Sequence, residues 1–252
     1  MNSNELKEIL EDNYRKFHQP FFIEDDPIHI PHLFTKKEDI EIAGFLTATI
    51  AWGQRKSILK SAHRIIKLMD GAPYDFILNH LEKDRAKVFG FVHRTFNADD
   101  LIYFFAALQN IYHNKGGLEK IFLHPQAKSM KERLAHFRTI FFELDHLQRT
   151  EKHIANPFKG SAAKRINMFL RWMVRPSDAG IDFGIWTKLK PKDLMIPLDV
   201  HTSTVARKLK LLERKQNDWK AVEELTNNLK LFDANDPVKY DFALFGMGVY
   251  GL

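Results

Sequence analysis

The 252-residue chain contains no cysteine. That absence excludes disulfides, thiolate nucleophiles, cysteine-ligated zinc and a cysteine-held iron–sulfur cluster together. Any metal would have to sit on His, Asp or Glu. No run of about 18 apolar residues occurs, so no transmembrane helix is expected. The opening stretch, Met1 to Phe17, is charged and periodic and lacks the apolar centre of a signal peptide. A cytoplasmic location is therefore expected. Internal repeats and low-complexity tracts are missing too. What is there is ordinary globular material, 44% hydrophobic and 28% charged, enough apolar content to exclude disorder of the whole chain.

The formal charge is +6, and it is unevenly spread. Lys159 to Lys220 holds 14 Lys or Arg against 6 Asp or Glu, while the rest of the chain is slightly acidic. Such a stretch permits a polyanionic partner, and it is equally what a set of solvated helix faces looks like.

Helical periodicity dominates. Leu101, Phe104, Phe105, Leu108, Ile111 and Tyr112 share one face of a helix with about 3.6 residues per turn. The same holds for Ile58 to Met69, Met130 to Leu144 and Val222 to Phe232. The spacing predicts an all-α protein. Thr35 and Glu38 read as a capping box opening a helix through Trp52, apolar nearly all round and so central. Asn97, Asp218 and Asp236 (before Pro237) read as helix caps. Two stretches read as non-helical. His18 to His32 carries three prolines and is expected to be extended. Arg175 to Pro197 is expected to be a loop with a turn near Gly184 to Lys188. Val88 to Phe96 is β-like but has no evident partner, and reads as a connector.

The chemistry concentrates between Asn156 and Arg207. Asn156, Pro157 and Gly160 break a helix, and Ser161 can cap the next. A helix start offers free N–H groups and partial positive charge to a phosphate, and Lys159, Lys164 and Arg165 surround this one. Lys164 falls in the first turn, where the dipole and Arg165 disfavour the ammonium and favour the nucleophilic amine. It can equally be an exposed lysine. Asp199, after Ile196, Pro197 and Leu198, is either a helix cap or a carboxylate held at a cleft mouth. His201 can support it or fill the first turn.

The segments GSAAKRINMFL and PLDVHTSTVARKL resemble the helix-hairpin-helix DNA glycosylase superfamily, which includes endonuclease III and the 8-oxoguanine glycosylases. Gly160 matches the first hairpin glycine, Lys164 the Schiff-base lysine and Asp199 the catalytic aspartate. More broadly, Gly160 to Arg175, Pro197 to Thr202 and Asp236 to Gly248 resemble a family of uncharacterised bacterial proteins. The hairpin departs from the glycosylase pattern at Ser161 and Ala162. Lys164 and Asp199 also stand 35 positions apart, farther than in the better-known members.

The resemblance implies two helical subdomains with a cleft between them. One would run over 35–169 and end in the hairpin and Lys164 helix. The other would combine 1–34 with 170–252 and carry Asp199. It implies a DNA-repair glycosylase or abasic-site lyase that flips a damaged nucleotide out of the duplex. Lys164 would attack the sugar C1′, and Asp199 would stabilise the cationic sugar. Lys159, Gly160, Ser161, Arg165 and His201 would contact nucleic acid. Gln54 or Arg55 would fill the gap left by the flipped base, unless Gly53 simply ends a helix there. The partner would be damaged duplex DNA, with RNA an open alternative. No metal and no cofactor is implied. One rival is a nucleic-acid-binding protein of the same fold without catalysis. Another is a metal-dependent hydrolase using His29 and His32 with His18, Glu24, Asp25 and Asp26 nearby. Trp172, Trp186 and Phe183 are candidates for stacking on bases, with Trp172 at core spacing.

Overall fold

The computed structural model describes residues 2–176 and 178–251. Helix makes up 64% and strand 2%, so the chain is all-α. In chain order the α-helices are α1 (Ser3–Phe17), α2 (Phe21–Asp25), α3 (Lys37–Thr49), α4 (Arg55–Leu68), α5 (Pro73–Asn79), α6 (Glu82–Arg85) and α7 (Ala98–Asn110). After these come α8 (Leu118–Phe122), α9 (Met130–Phe141), α10 (Lys164–Val174), α11 (Val200–Lys208), α12 (Trp219–Lys230) and α13 (Tyr240–Tyr250). Among the described residues, no helix is long and apolar enough to cross a membrane.

The chain forms two compact units. One comprises Met1–Glu24, Ser129–Lys131 and Asn156–Leu252, the other Asp25–Lys128 and Glu132–Ala155. The lines expected at 34/35 and 169/170 therefore fall elsewhere. The hairpin and the Lys164 helix group with Asp199, because α10 is bonded to α13 and the hairpin to the start of α12.

The Asp25–Ala155 unit is built around α3, in which every residue from Ile40 to Thr49 is buried. Phe45 meets Phe104, Phe137 and Phe141 at ring separations of 5.6–5.9 Å. The helix starts one residue later than the Thr35–Glu38 box requires, with Lys36 at the cap. Asp39 becomes the third helical residue, and its carboxylate accepts from the Tyr74 N–H at 2.7 Å, tying α3 to α5. The helix also closes at Thr49, short of Trp52. Asn97 caps α7 as expected, in a reciprocal box with Asp100. Asp100 is fully buried and accepts from Thr150 Oγ1 at 2.8 Å, Arg149 Nη1 at 2.8 Å and His153 Nε2 at 3.1 Å. Burial pushes this carboxyl up, but the bonds from Asn97 and Thr150 and the facing His153 and Arg149 outweigh it, and the net direction is downward.

Three segments differ from expectation for identifiable reasons. His18 to His32 is not extended. It holds α2 and two short 3-10 turns, Pro27–His29 and Pro31–Leu33, with proline at the first position of each, where no N–H is needed. The β-like stretch finds its partner in itself: β1 (Val92–His93) pairs antiparallel with β2 (Phe96–Asn97). The described residues of Arg175 to Pro197 are irregular, but their short turn is Pro191–Asp193, and Ile181, Trp186, Leu194 and Ile196 are buried in a core.

In the other unit α1 packs on α13 and α13 on α11. The α1–α13 contact depends on glycine. A Cβ on Gly246 would lie 2.2 Å from the buried Phe17 ring.

Replacing Gly246 by Ala should lower the unfolding free energy by about 1–3 kcal/mol, the range for overpacking a filled site. Urea titration reads it, and an unchanged midpoint would contradict this packing. Asp100→Ala should cost about 3–5 kcal/mol, because it strands buried donors. The Asp100 contribution is present above the ordinary carboxylate range and lost as pH falls through its lowered value. The wild-type/variant gap measured by denaturation should therefore close on acidification.

Candidate functional site

The hairpin begins where the Asn156 carboxamide accepts from the Phe158 N–H at 3.0 Å and opens a 3-10 turn over Pro157–Lys159. Gly160 ends it with φ +86°. A Cβ there would meet nothing within 4 Å, so the preference for glycine comes from the backbone angle alone. Ser161 bridges to Asp218, and the Gly160 carbonyl accepts from the Trp219 N–H at 3.1 Å. Ser161 is not the helix cap. That position is Ala163, held in the left-handed region at φ +52°, and Ser161 Oγ accepts from its N–H at 3.2 Å. Asn167 Nδ2 donates to the Ala162 carbonyl at 3.3 Å and holds the hairpin from inside the helix. Lys164 is thus the first residue of α10.

Asp199 is the cap of α11, its Oδ1 accepting from the Thr202 N–H at 2.9 Å. Its Oδ2 lies 4.0 Å from Lys164 Nζ, and the two side chains are 22% and 28% exposed. Cap and juxtaposed carboxylate are therefore the same residue, using different oxygens. Lys164 Nζ also donates to Met168 Sδ at 3.4 Å. Two helix starts far apart in sequence bring a solvent-reachable amine and carboxylate together.

The remaining expected residues divide. Lys159 is exposed beside the hairpin. Arg165 is half-buried, and burial pushes its guanidinium down to about 10. His201 turns away from Asp199: its Nδ1 bonds the Gly248 carbonyl at 3.2 Å and its ring meets Phe245. Gln54 and Arg55 belong to the other unit. There Gln54 is the exposed cap of α4, and Gly53, at φ +104°, lies under the Arg94 side chain rather than ending α3. Trp172 and Trp186 are fully buried and have no face for a base. Asp26 caps the Pro27–His29 turn, and among the described residues no group of three or more His, Cys, Asp or Glu could hold a metal ion.

The periodicity argument missed the charged groups behind the pair. Arg171, buried on α10, donates through Nη1 to Asp241 at 2.5 Å and through Nε to Asp182 at 3.3 Å. Asp182 also accepts from Arg175 Nη1 at 2.8 Å. Arg175 Nε donates to Asp236 at 2.8 Å and Nη2 to Tyr14 Oη at 2.9 Å. Asp236 holds the expected cap position, with Pro237 first in the turn that follows, but its carboxylate makes no cap bond and faces the buried guanidinium instead. Asp241 Oδ1 in turn accepts from Thr202 Oγ1 at 3.5 Å. Burial pushes the Asp241 carboxyl up to about 6, aided by Asp199 and opposed by Arg171 and Lys164. The signal available in sequence was charge in apolar company: Arg171 between Leu170 and Trp172, and Asp241 before Phe242, Ala243 and Leu244.

These features define an all-α protein with a lysine–aspartate pair mounted on a buried ionic network. The family model described as "Protein of unknown function (DUF2400)" matches residues 26–250. The chain belongs to that family. No curated protein and no solved structure matches it.

Asp182→Ala should cost about 3–5 kcal/mol, since two buried guanidinium groups lose a shared partner. Denaturant titration of the purified variant checks this, and a loss below about 1 kcal/mol would show that Asp182 does not carry the network.

Proposed function

We propose that this protein is a DNA glycosylase with abasic-site lyase activity, with Lys164 as the nucleophile and Asp199 as the carboxylate partner. The observation that carries the reading is the 4.0 Å approach of Lys164 Nζ to Asp199 Oδ2, both open to solvent. The resemblance of GSAAKRINMFL and PLDVHTSTVARKL to the helix-hairpin-helix glycosylases supports it. The neutral Lys164 amine forms a bond to C1′ of a flipped nucleotide. The bond from C1′ to the base breaks, and the base leaves with a proton. Asp199 faces the positive charge that grows on the sugar, where a fixed carboxylate lowers the barrier. The aminal so formed opens: the nitrogen lone pair makes the C1′=N bond as the C1′–O4′ bond breaks, and O4′ takes up the proton from that nitrogen. The Schiff base then loses a C2′ proton, the C3′–O bond breaks with its electrons, and the 3′ phosphate departs. The exposed Lys159 and the backbone around Gly160 suit contact with the phosphate chain, which fixes register without reading sequence.

A second reading keeps the binding and drops the chemistry. It is favoured by the structural work Asp199 already does as the cap of α11.

Borohydride trapping separates the two. Duplex DNA containing an abasic site or 8-oxoguanine, with borohydride, should give a covalent complex on a denaturing gel. Lys164→Ala should abolish it, and Asp199→Asn should slow it about 100-fold or more, the lower range for a positioned proton-transfer or charge-stabilising group. RNA of matched sequence should compete poorly. Salt-sensitive DNA binding with no trapped band on either substrate would leave the binding-only reading.

A further inference from the structure

The helix α4 carries five Lys or Arg and no Asp or Glu. It lies outside the basic stretch Lys159 to Lys220, in the part of the chain that is slightly acidic. Its buried face is Ile58, Ala62, Ile65 and Ile66. Its exposed positions are Lys56, Ser57, Lys60, His63, Arg64 and Lys67, so the solvent face holds no anion and no large apolar group. With about 3.6 residues per turn, Lys56, Lys60, His63 and Lys67 fall in one row, about 16 Å long. Among the described residues, no ion pair engages Lys56, Lys60 or Lys67. The acids that follow the helix are taken up elsewhere: Asp70 and Asp84 lie 3.4 and 3.7 Å from Lys87. Like charges four apart on a helix repel, so the row is strained alone and relieved by an anion.

Beside α4 stands an apolar group in water. Arg64 Nη2 donates to the Gly90 carbonyl at 3.2 Å, and its guanidinium lies 5.4 Å from the centre of the Phe91 ring. Gly90, at φ +77°, turns the chain there. Phe91 is fully buried under Arg64, whereas Phe89 on the other side of the glycine is 89% exposed. Val92 is exposed as well. The loop that presents Phe89 is thus fastened to the cationic helix.

We propose that α4 and Phe89 form a binding surface for single-stranded nucleic acid in the Asp25–Ala155 unit. Lys56, Lys60 and Lys67 hold the phosphate chain, and Phe89 stacks on an unpaired base. A row of cations fits any polyanion; at about 3.4 Å of rise per phosphate on one strand, this one spans about five. The exposed ring is what selects the partner. A cationic track with an aromatic platform holds single strands, because every base has a face to stack and a duplex keeps those faces covered. The proposal does not depend on the role given to Lys164.

The test is fluorescence anisotropy of the intact protein with a labelled single-stranded oligonucleotide, titrated over a range of salt. The triple variant Lys56→Gln, Lys60→Gln, Lys67→Gln should bind about tenfold or more weakly, and the slope of log affinity against log salt should shrink by about 2. Phe89→Ala should weaken binding by about five- to 150-fold with the slope unchanged, and Phe89→Trp should restore it. On a duplex of the same sequence, Phe89→Ala should have no effect. A control triple variant at exposed Lys7, Lys128 and Lys192 should bind like wild type. All of these side chains are at the surface, so unfolding midpoints should stay put. Absence of wild-type binding, an equal loss in the control, or a Phe89→Ala effect of the same size on duplex would overturn the proposal. Strong competition by phosphatidylserine vesicles at equal phosphate would overturn it too, in favour of a lipid surface. Failure of borohydride trapping with these effects intact would count against the glycosylase reading alone.

Discussion

Burying two guanidinium groups commits a protein to supplying their counter-charges. Unpaired, each would carry a desolvation cost of several kcal/mol, so the surrounding elements are obliged to bring carboxylates to them. In the unit that holds Lys164, Arg171 and Arg175 draw Asp182 from the irregular segment, Asp236 from the turn before α13, and Asp241 from α13 itself. Tyr14 of α1 completes the set. These bonds give a segment without regular structure a defined place. They also link α13, through Thr202, to the cap of α11. The position of Asp199, and hence its distance from Lys164, is a downstream result of satisfying Arg171.

Most of the helices could be read from the sequence because periodicity reports one-sided burial, and these helices are buried on one side. Asn97, Asp218 and Asp199 were readable as caps because an Asx side chain ahead of an apolar run has few better uses. The failures share a cause. Asp236 sits in a cap position, yet a buried arginine competes for it and wins, because a charge-assisted bond out of water is stronger than a cap bond at the surface. Ser161 stands where a cap should be, but the left-handed turn at Ala163 moves the helix start past it. Prolines between His18 and His32 looked like breakers and turned out to start turns. Competition of this kind is decided by tertiary neighbours, which a local window does not contain.

The candidate pair was legible in a different way. Neither Lys164 nor Asp199 differs by local pattern from an exposed lysine and an ordinary cap. Resemblance to glycosylase segments singled them out, and the fold brings them within 4.0 Å. Neither approach singled out Asp241, although it stands as a lone charge before Phe242, Ala243 and Leu244. Its environment also sets it apart from Asp100, the buried carboxylate of the other unit. Asp100 collects four partners and is held ionised. Asp241 shares one guanidinium with Asp182 and looks toward another carboxylate, so burial prevails and its proton is held more tightly. Burial alone predicts neither outcome; the count of donors does.

The unit carrying the pair is assembled from distant pieces of chain. Glu11 on α1 accepts from Tyr240 across a separation of 229 residues, and the hairpin at Gly160 is tied to Trp219. The Asp25–Ala155 unit, by contrast, is nearly continuous. During synthesis this second unit has almost all of its partners in hand once α9 and the segment after it have emerged. The helix bearing Tyr14 must wait, its apolar face uncovered, until α13 leaves the ribosome. Long-range closure of that kind is slow and exposes surface in the meantime. The lysine–aspartate pair is therefore among the last features of the molecule to exist, and a nascent chain cannot present it before the fold is closed.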